Sequence, residues 1–224
     1  LSYNKRYLQI NFDNLKNGEI NIDAAMICTP SDLHYYYAKA CLDKKINVLI
    51  EKPFVLKLSH AKQLVNLAAK RKLKCWTALQ NRHNLAVKKL FKTINKNELG
   101  KIALVDCALF WHRSKKYYKT GWRGKYISDG GVLNNQAIHL LDTLIYIFGP
   151  IKFFDVYAGY NKKKLEAEDL ILINFIHKNN IASSFKATTR ANRDYRSAID
   201  VIGEKGRSIV KGISLNTYQI FKDT

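Results

Sequence analysis

The hydrophobic pattern of the first third of the chain alternates between short apolar runs and amphipathic segments. Three apolar runs, 24–28, 47–50 and 75–79, predict buried strands. The segments between them follow the helical period; one runs to about Lys44, with Ser31 or Asp32 as the predicted N-cap, and the next is predicted to be capped by Ser59. Strands and helices that alternate with short connections predict a parallel sheet covered on both faces.

From about residue 81 the pattern changes to strands with few helices. The segments 86–94 and 132–148 predict helices, the second opened by two glycines. The predicted strands are 102–111, 153–160, 170–177, 181–189, 198–202 and 207–210, with hairpin turns at 177–181 and 203–207. We therefore predict an α/β protein of two domains: residues 1–80 with a partial parallel sheet, and residues 81–224 with a large open, mostly antiparallel sheet.

Composition indicates an ordinary globular protein, with 47% hydrophobic and 12% aromatic residues in 224. No apolar run approaches the roughly 18 residues of a membrane span, and the first residues lack the apolar core of a signal peptide. We therefore expect a cytoplasmic protein with no membrane partner. The cysteines are widely spaced without a C-x-x-C pair, so we expect buried free thiols and no metal site: Cys28, Cys41, Cys75 and Cys107.

The net charge of +20 admits more than one explanation. A basic surface can collect the phosphates of nucleic acids without reading their sequence. The lysines, however, are scattered along the chain, mostly singly or in pairs, which is typical of a protein from an AT-rich genome. We therefore expect no nucleic-acid partner. An anionic small-molecule substrate stays open as a second reason for the charge.

Polar, distinctive residues follow each of the three predicted parallel strands. They are Thr29-Pro30, Glu51-Lys52-Pro53 and Gln80-Asn81-Arg82. Ligands bind beyond the carboxyl ends of the strands in parallel sheets. Each stretch alone is more often a simple turn, but three at one sheet edge indicate a ligand site.

A further polar stretch is SDGGVLNNQAIHLLD, residues 128–142. Two glycines before a helix allow a ligand or another backbone to come close. Asn135 and His139 are four residues apart and share one helix face, with Asp142 about one turn beyond. A single helical histidine is more often structural than catalytic, but three polar groups in successive turns favour a site.

Together these stretches resemble the Gfo/Idh/MocA family of NAD(P)-dependent oxidoreductases, in order and over nearly the whole chain. The resemblance implies that residues 1–80 are part of a Rossmann-type domain with NAD, or alternatively NADP, as cofactor. It also implies that Lys52 and His139 face a shared cleft, near the sugar carbon that gives up hydride. The residues that it places at the cofactor are Thr29, Pro30, His34, Glu51, Lys52, Gln80 and Arg82.

Three shorter motifs look like a branch of that family, the UDP-N-acetylglucosaminuronate 3-dehydrogenases of bacterial surface-polysaccharide (lipopolysaccharide) biosynthesis. They are QNRHN (80–84), GWRG (121–124) and NQAIH (135–139). Many family members carry Asp where this chain has Asn135, which leaves His139 and Lys52 as the proton-transfer candidates, with Asn135 beside them. Trp122 could equally anchor its loop. The predicted substrate-binding residues are Arg113, Tyr118, Trp122, Arg123, Lys125, Asn135, Gln136 and His139.

The chain contains no G-x-G-x-x-G turn, which in that family cradles the cofactor pyrophosphate. We therefore expect residues 1–80 to be the second part of the cofactor domain, from a longer protein or a degraded gene. The alternatives to a sugar-nucleotide dehydrogenase are a dehydrogenase of a neutral sugar or inositol and a catalytically silent binding module. We also expect a homo-oligomer, a dimer or tetramer, formed through late strands whose apolar face includes Ile171, Ile173 and Phe175.

Overall fold

The computed structural model describes residues 13, 22–161 and 165–222. The chain divides into two compact units, residues 1–78 and 79–224. The predicted fold class is confirmed: an α/β unit with a parallel sheet is followed by a unit with a large mixed sheet. None of the described helices combines the length and the apolar character that crossing a bilayer requires.

The first unit is built on a three-stranded parallel sheet in the order β1-β2-β3. Its elements are β1 (Ala24–Ile27), α1 (His34–Asp43), β2 (Asn47–Ile50), α2 (Leu58–Arg71) and β3 (Cys75–Thr77). Leu42 and Leu64, from the two helices, share one core with Val48 and Ile50 of the sheet.

Cover on both faces of this sheet was expected, but the described helices cover only one. Met26 and Trp76 on the other face are exposed. The reason is the handedness of the connections: right-handed crossovers that step in one direction along a sheet place their helices on the same face.

The predicted N-caps of the first two helices are wrong. Ser31 and Asp32 lie in a single 3-10 turn, Ser31–Leu33, in which the Leu33 N–H donates to Pro30 O at 3.0 Å. Ser59 lies inside α2, which follows extended Lys57 without a side-chain cap. Before α1, backbone hydrogen bonding in the 3-10 turn takes the place of a side-chain cap, so the Ser31 hydroxyl is not needed there.

The second unit is built on a seven-stranded sheet in the order β10-β9-β8-β4-β7-β6-β5. Every neighbouring pair is antiparallel except β4 and β7, which are parallel. The predicted hairpin turns join β6 to β7 and β8 to β9. The elements are α3 (Leu85–Asn95), β4 (Ile102–Phe110), α4 (Ile138–Phe148), β5 (Ile151–Gly159), β6 (Leu170–His177), β7 (Ala182–Thr188), β8 (Arg196–Gly203), β9 (Gly206–Lys211) and β10 (Thr217–Lys222).

Strand β10 is absent from the prediction. It lies at the sheet edge, pairs with β9 alone, and has no buried residue. Tyr218 and Ile220 alternate and pack partly against the core, but the other positions give no clear apolar pattern. An edge strand of this kind is specified by its partner more than by its own sequence.

Helices α3 and α4 pack on one face of this sheet and form a single core with it. Ile171, Ile173 and Phe175, each at most 6% exposed, point into that core. The expectation that they form an uncovered face is therefore wrong, although their alternation is confirmed. The open face carries Leu172 instead, which is 41% exposed.

All four cysteines are free thiols, but they are not all buried. Cys41 and Cys107 lie in the two cores, Cys75 is half-buried, and Cys28 is exposed. Cys28 follows β1 directly, where the chain leaves the cover of the helices. The prediction of buried thiols is thus wrong for Cys28 and only partly right for Cys75.

Candidate functional site

Two of the predicted polar strand ends lie side by side in the first unit. Ile27 and Ile50 are in register at the ends of β1 and β2, and the Glu51 N–H donates to Ile27 O at 2.9 Å. Thr29-Pro30 and Glu51-Lys52-Pro53 therefore leave the sheet from the same carboxyl edge. The Lys52-Pro53 peptide bond is cis.

His34 links these two strand ends. Its side chain is buried, with the residue only 1% exposed. Nδ1 lies 2.8 Å from Pro53 O and Nε2 lies 3.0 Å from Thr29 O. Both partners are carbonyl oxygens, which only accept hydrogen bonds, so a ring nitrogen that carries a proton donates to the carbonyl beside it. In this structure the ring therefore ties the two loops together and faces the protein interior.

The Thr29 hydroxyl lies at this edge of the sheet. Oγ1 is buried and has no hydrogen-bond partner within the part of the chain that the structure describes. Buried hydroxyls in native proteins are nearly always bonded. A cofactor at the carboxyl edge of the sheet would supply the missing partner, in the place where parallel sheets bind their ligands.

In the second unit a π-helical turn leads into α4. Gly130 and Gly131, with φ of 72° and 77°, precede this turn, Leu133–Ala137. The prediction of one regular helix over 132–148 is therefore corrected. Glu168 receives the first N–H groups: its carbonyl accepts from Val132 N at 2.9 Å and its Oε1 from Leu133 N at 3.1 Å. Such π turns are frequent at functional sites.

Glu168 occupies the space that Gly131 leaves by having no side chain. A Cβ atom at Gly131 would collide with the Glu168 carboxylate. Burial raises the pKa of Glu168, while the hydrogen bond from Leu133 N acts in the opposite direction. The glycine pair thus permits the close approach that the sequence predicted, and the group that approaches is a protein carboxyl.

The raised pKa of Glu168 makes a prediction for stability. A carboxyl whose pKa is higher in the folded state contributes stability below its unfolded pKa of about 4.3, and loses it as pH rises through the folded pKa. Glu168→Gln keeps an acceptor for Leu133 N and never ionises. We expect the unfolding free energy of this variant, measured with urea, to rise relative to wild type as pH increases above about 4.

The matched control is Glu98→Gln. Glu98 is half-buried at the surface, and its hydrogen bond with Lys222 lowers its pKa. That carboxyl contributes stability above its unfolded pKa. The unfolding free energy of Glu98→Gln relative to wild type should therefore fall as pH increases, or stay constant if solvent screens the ion pair. If Glu168→Gln follows the wild-type profile at every pH, the carboxyl does not titrate as the structure indicates.

Tyr117 is the centre of a cluster at the start of this helix. Its hydroxyl accepts from Asn135 Nδ2 at 3.3 Å and from Gln136 Nε2 at 3.0 Å. The guanidinium of Arg123 lies 4.4 Å from the ring centroid, and that of Arg113 lies 5.4 Å from it. One aromatic ring thus gathers two cations and two amides, and we call these five residues the Tyr117 cluster.

Asp129 fixes the Tyr117 cluster from the other side. This buried carboxylate accepts from Asn135 Nδ2, and its Oδ2 accepts from Gly124 N at 2.6 Å. The loop is tight at Gly124, since a Cβ there would meet the Leu165 side chain at 2.6 Å. Asp129 was not among the predicted site residues, although an acid directly before Gly130 was a visible signal. Arg123 Nε is buried without a hydrogen-bond partner among the described residues.

The other predicted substrate residues lie around the Tyr117 cluster with different contacts. The Tyr118 hydroxyl is 2.9 Å from Thr189 Oγ1, and burial raises the pKa of this phenol. The Trp122 ring lies 4.8 Å from the Arg123 guanidinium, and the Trp122 backbone carbonyl accepts from Ser128 Oγ. Trp122 is therefore placed both to anchor its loop and to stay a candidate for substrate contact. Lys125 is exposed.

His139 is half-buried near the start of α4, and Asp142 follows one turn later. The Asp142 carboxylate is held by Arg82, with Nε to Oδ2 at 2.8 Å and Nη2 to Oδ1 at 2.5 Å. This bond raises the pKa of Arg82. Arg82 thus holds the histidine helix within the second unit. Gln80, two residues earlier, is exposed.

Family comparisons define the class of protein to which this architecture belongs. Residues 3–79 match the model of the oxidoreductase family with an NAD-binding Rossmann fold. Residues 87–209 match the model of the GFO/IDH/MocA C-terminal domain. The two matches define a two-domain oxidoreductase class. The chain belongs to the Gfo/Idh/MocA family, and the resemblance of its motifs is confirmed.

Solved structures and curated proteins show how far the likeness extends. The WlbA dehydrogenase from Bordetella pertussis, in complex with NADH and UDP-GlcNAcA, is 30% identical, with a TM-score of 0.88 over 94% of this chain and 66% of that one. The Chromobacterium violaceum WlbA dehydrogenase, in complex with the same two molecules, is 28% identical, with a TM-score of 0.88 over 94% and 61%.

An uncharacterised oxidoreductase from Synechocystis, sll0816, is 25% identical over 94% of this chain and 61% of its own length. The chain therefore spans less than two thirds of these relatives.

Proposed function

We propose that the protein is an NAD(P)-dependent oxidoreductase that oxidises the 3-hydroxyl of UDP-N-acetylglucosaminuronate. The observation that carries this proposal is the Tyr117 cluster, which sets Arg113 and Arg123 at the start of the helix that bears His139. The substrate carries a diphosphate and a carboxylate, and planar guanidinium groups hold both with paired hydrogen bonds. A neutral sugar or inositol has no need of such cations.

The comparisons support the substrate and the cofactor of this proposal. Two structural relatives bind NADH and UDP-GlcNAcA, and their likeness covers nearly the whole chain. The match of residues 3–79 to an NAD-binding fold supports NAD as the cofactor. A cytoplasmic place in surface-polysaccharide synthesis is part of the same proposal.

Lys52 and His139 are the residues to which the family resemblance assigns the chemistry. A nicotinamide cofactor would supply the hydride acceptor for this oxidation. His139 takes the hydroxyl proton, since an imidazole titrates near neutrality. Lys52 stabilises the negative charge that develops on the oxygen. Asn135 keeps the start of the histidine helix in place through Asp129 and Tyr117.

The strand ends of the first unit would hold the cofactor. Thr29 offers a hydroxyl whose hydrogen-bonding capacity the described protein does not use, and Pro30 and Glu51 lie at the same edge. His34 acts as a positioning residue there, because its ring bonds the Thr29 and Pro53 carbonyls.

Calorimetry on the complete protein with saturating NADH tests the substrate. UDP-N-acetylglucosaminuronate should bind at least about tenfold more tightly than UDP-N-acetylglucosamine, because only the uronate adds a carboxylate for a fixed guanidinium. Inositol should bind more weakly than both. A uronate no tighter than the other two overturns the substrate. Tight binding without any NADH formation from NAD would favour the silent binding module instead.

We also infer that the protein forms homo-oligomers through the open face of the seven-stranded sheet. Leu104, Leu172 and Ile202 are 40–42% exposed on this face, and they flank the ion pair between Lys186 and Asp106. Exposed apolar side chains of this kind mark association surfaces. Light scattering should show a dimer or tetramer at micromolar concentration, and Leu172→Lys should shift it towards monomer. A monodisperse wild-type monomer would contradict the inference.

A further inference from the structure

Two chain segments leave the second unit's sheet at one edge and enclose a pocket. β4 and β7 form the parallel pair, with Phe110 in register with Thr188, so the segments that follow them run side by side. His112 and Arg190 join these segments through an isolated bridge. The pocket between them has a volume of about 570 Å³. Small-molecule sites occupy roughly 300–1,000 Å³, so the pocket can hold most of such a ligand.

The pocket wall is strongly cationic. Arg113, Lys115, Lys119 and Arg190 line it, and Asp169 is the single carboxylate among the lining residues that the structure describes. That carboxylate is already engaged, since Arg190 donates to its Oδ1 from Nε at 2.9 Å and from Nη2 at 2.6 Å. An anion is the class of ligand that such a wall attracts.

Two of these cations are held in place before any ligand binds. Asp169, which orients Arg190, is buried. Arg113 is half-buried, lies 4.7 Å from the Trp111 ring centroid and forms a loose ion pair with Asp194 at 3.7 Å. A guanidinium that is already oriented loses little entropy when it binds a phosphate. The wall therefore combines fixed guanidinium groups with exposed lysines.

Tyr118 connects this pocket to the Tyr117 cluster. It lines the pocket, and its ring centroid lies 5.1 Å from that of Tyr117. Tyr117 in turn bonds Asn135 and Gln136, at the start of the histidine helix. A ligand that lies in the pocket can thus extend past two adjacent rings towards the place where the sugar would react.

We propose that this pocket, between residues 112–119 and 189–192, binds the diphosphate of the sugar nucleotide. Arg113 and Arg190 hold the phosphates through their guanidinium groups, and Lys115 and Lys119 add charge at the rim. The identity of the attached sugar rests on the proposed function, whereas the affinity for a diphosphate follows from the wall itself. The sequence motifs did not indicate Arg190 for this role.

The test measures binding of inorganic pyrophosphate, UDP and uridine to the complete protein by calorimetry. NADH is kept saturating, so that the cofactor's own diphosphate site is filled. UDP and pyrophosphate should bind. Uridine should bind at least about tenfold more weakly than UDP, and added salt should weaken the binding of UDP and pyrophosphate but not that of uridine. Lys115→Gln with Lys119→Gln should weaken pyrophosphate binding by about tenfold, since two charges leave the wall.

The control changes the same charge elsewhere in the unit. Lys88→Gln with Lys92→Gln removes two exposed lysines from α3 and should leave both affinities unchanged. Arg190→Lys keeps the charge but loses the guanidinium fork, and should weaken UDP binding; circular dichroism reports whether it folds. Should the paired lysine variant, whose side chains are exposed, bind pyrophosphate and UDP as tightly as wild type, the pocket assignment is overturned.

The outcomes separate this proposal from the proposed function. If the protein oxidises UDP-N-acetylglucosaminuronate while the pocket variants keep the wild-type KM and UDP affinity, the diphosphate site is contradicted and the proposed function is supported. If the pocket variants lose affinity for UDP but the wild type does not reduce NAD with any sugar nucleotide, the diphosphate site is supported and the proposed function is contradicted.

Discussion

His139→Ala and Lys52→Ala should each lower the turnover of the complete enzyme by at least about 10², the usual contribution of a positioned acid-base group. In the proposed mechanism, loss of the imidazole leaves the hydroxyl proton without an acceptor, and loss of the ammonium leaves the developing alkoxide without a cation. Initial rates of NADH formation with UDP-N-acetylglucosaminuronate measure both effects. The loss should fall mainly on kcat, because these interactions strengthen in the transition state.

Two further variants separate catalysis from folding. His83→Ala and Lys57→Ala remove the same side chains from exposed positions in the same units and should leave the rate unchanged. Added imidazole should restore part of the activity of His139→Ala but not of Lys52→Ala, since only the first variant lacks a proton acceptor. Wild-type turnover in both His139→Ala and Lys52→Ala would contradict the proposed mechanism.

The fold could be predicted to a large extent because its signals are local. Val48 and Ile50 belong to a short continuous apolar run, whose length favours a strand, and the helix before it places Ala38, Cys41 and Leu42 on one face at the helical period. The hydrophobic period cannot show which elements cover a given face of the sheet. Ile173 alternates as predicted, yet only packing decides that helices cover its face.

The candidate site was predictable in its residue types but not in its pairs. The polar strand ends and the glycine-opened helix were visible in the sequence. That Arg82 holds Asp142, 60 residues away, was not, because both are merely polar side chains until the chain folds. In the same way the two glycines predicted a close approach but could not name Glu168 as the group that approaches.

One weak signal could have identified these partners. The chain has 38 basic residues and 18 acidic ones, so a carboxylate is scarce. Three of the acids fall within four residues, 166–169, directly before an apolar strand. Two of them, Glu168 and Asp169, hold the helix start and Arg190. In a strongly basic chain, a local concentration of acids marks positions where a charge has a fixed partner.

Gly131→Ala should lower the unfolding free energy by about 3 kcal/mol or more, measured by urea denaturation. A left-handed backbone costs a residue with a Cβ about 1–2 kcal/mol. The new methyl group would also press on the buried Glu168 carboxylate, and overpacking of this kind costs about 1–3 kcal/mol. The π-helical turn and the start of α4 carry Asn135 and His139 respectively, so the variant should lose activity as well.

Gly121→Ala is the matched control for the backbone cost. Gly121 has a φ of 82°, close to the 77° of Gly131, but a Cβ there meets no atom within 4 Å. It should therefore cost only the backbone share, about 1–2 kcal/mol. In a Glu168→Ala background the added cost of Gly131→Ala should fall towards that value, because the colliding carboxylate is gone. An unchanged cost in that background would show that Glu168 is not what requires glycine at this position.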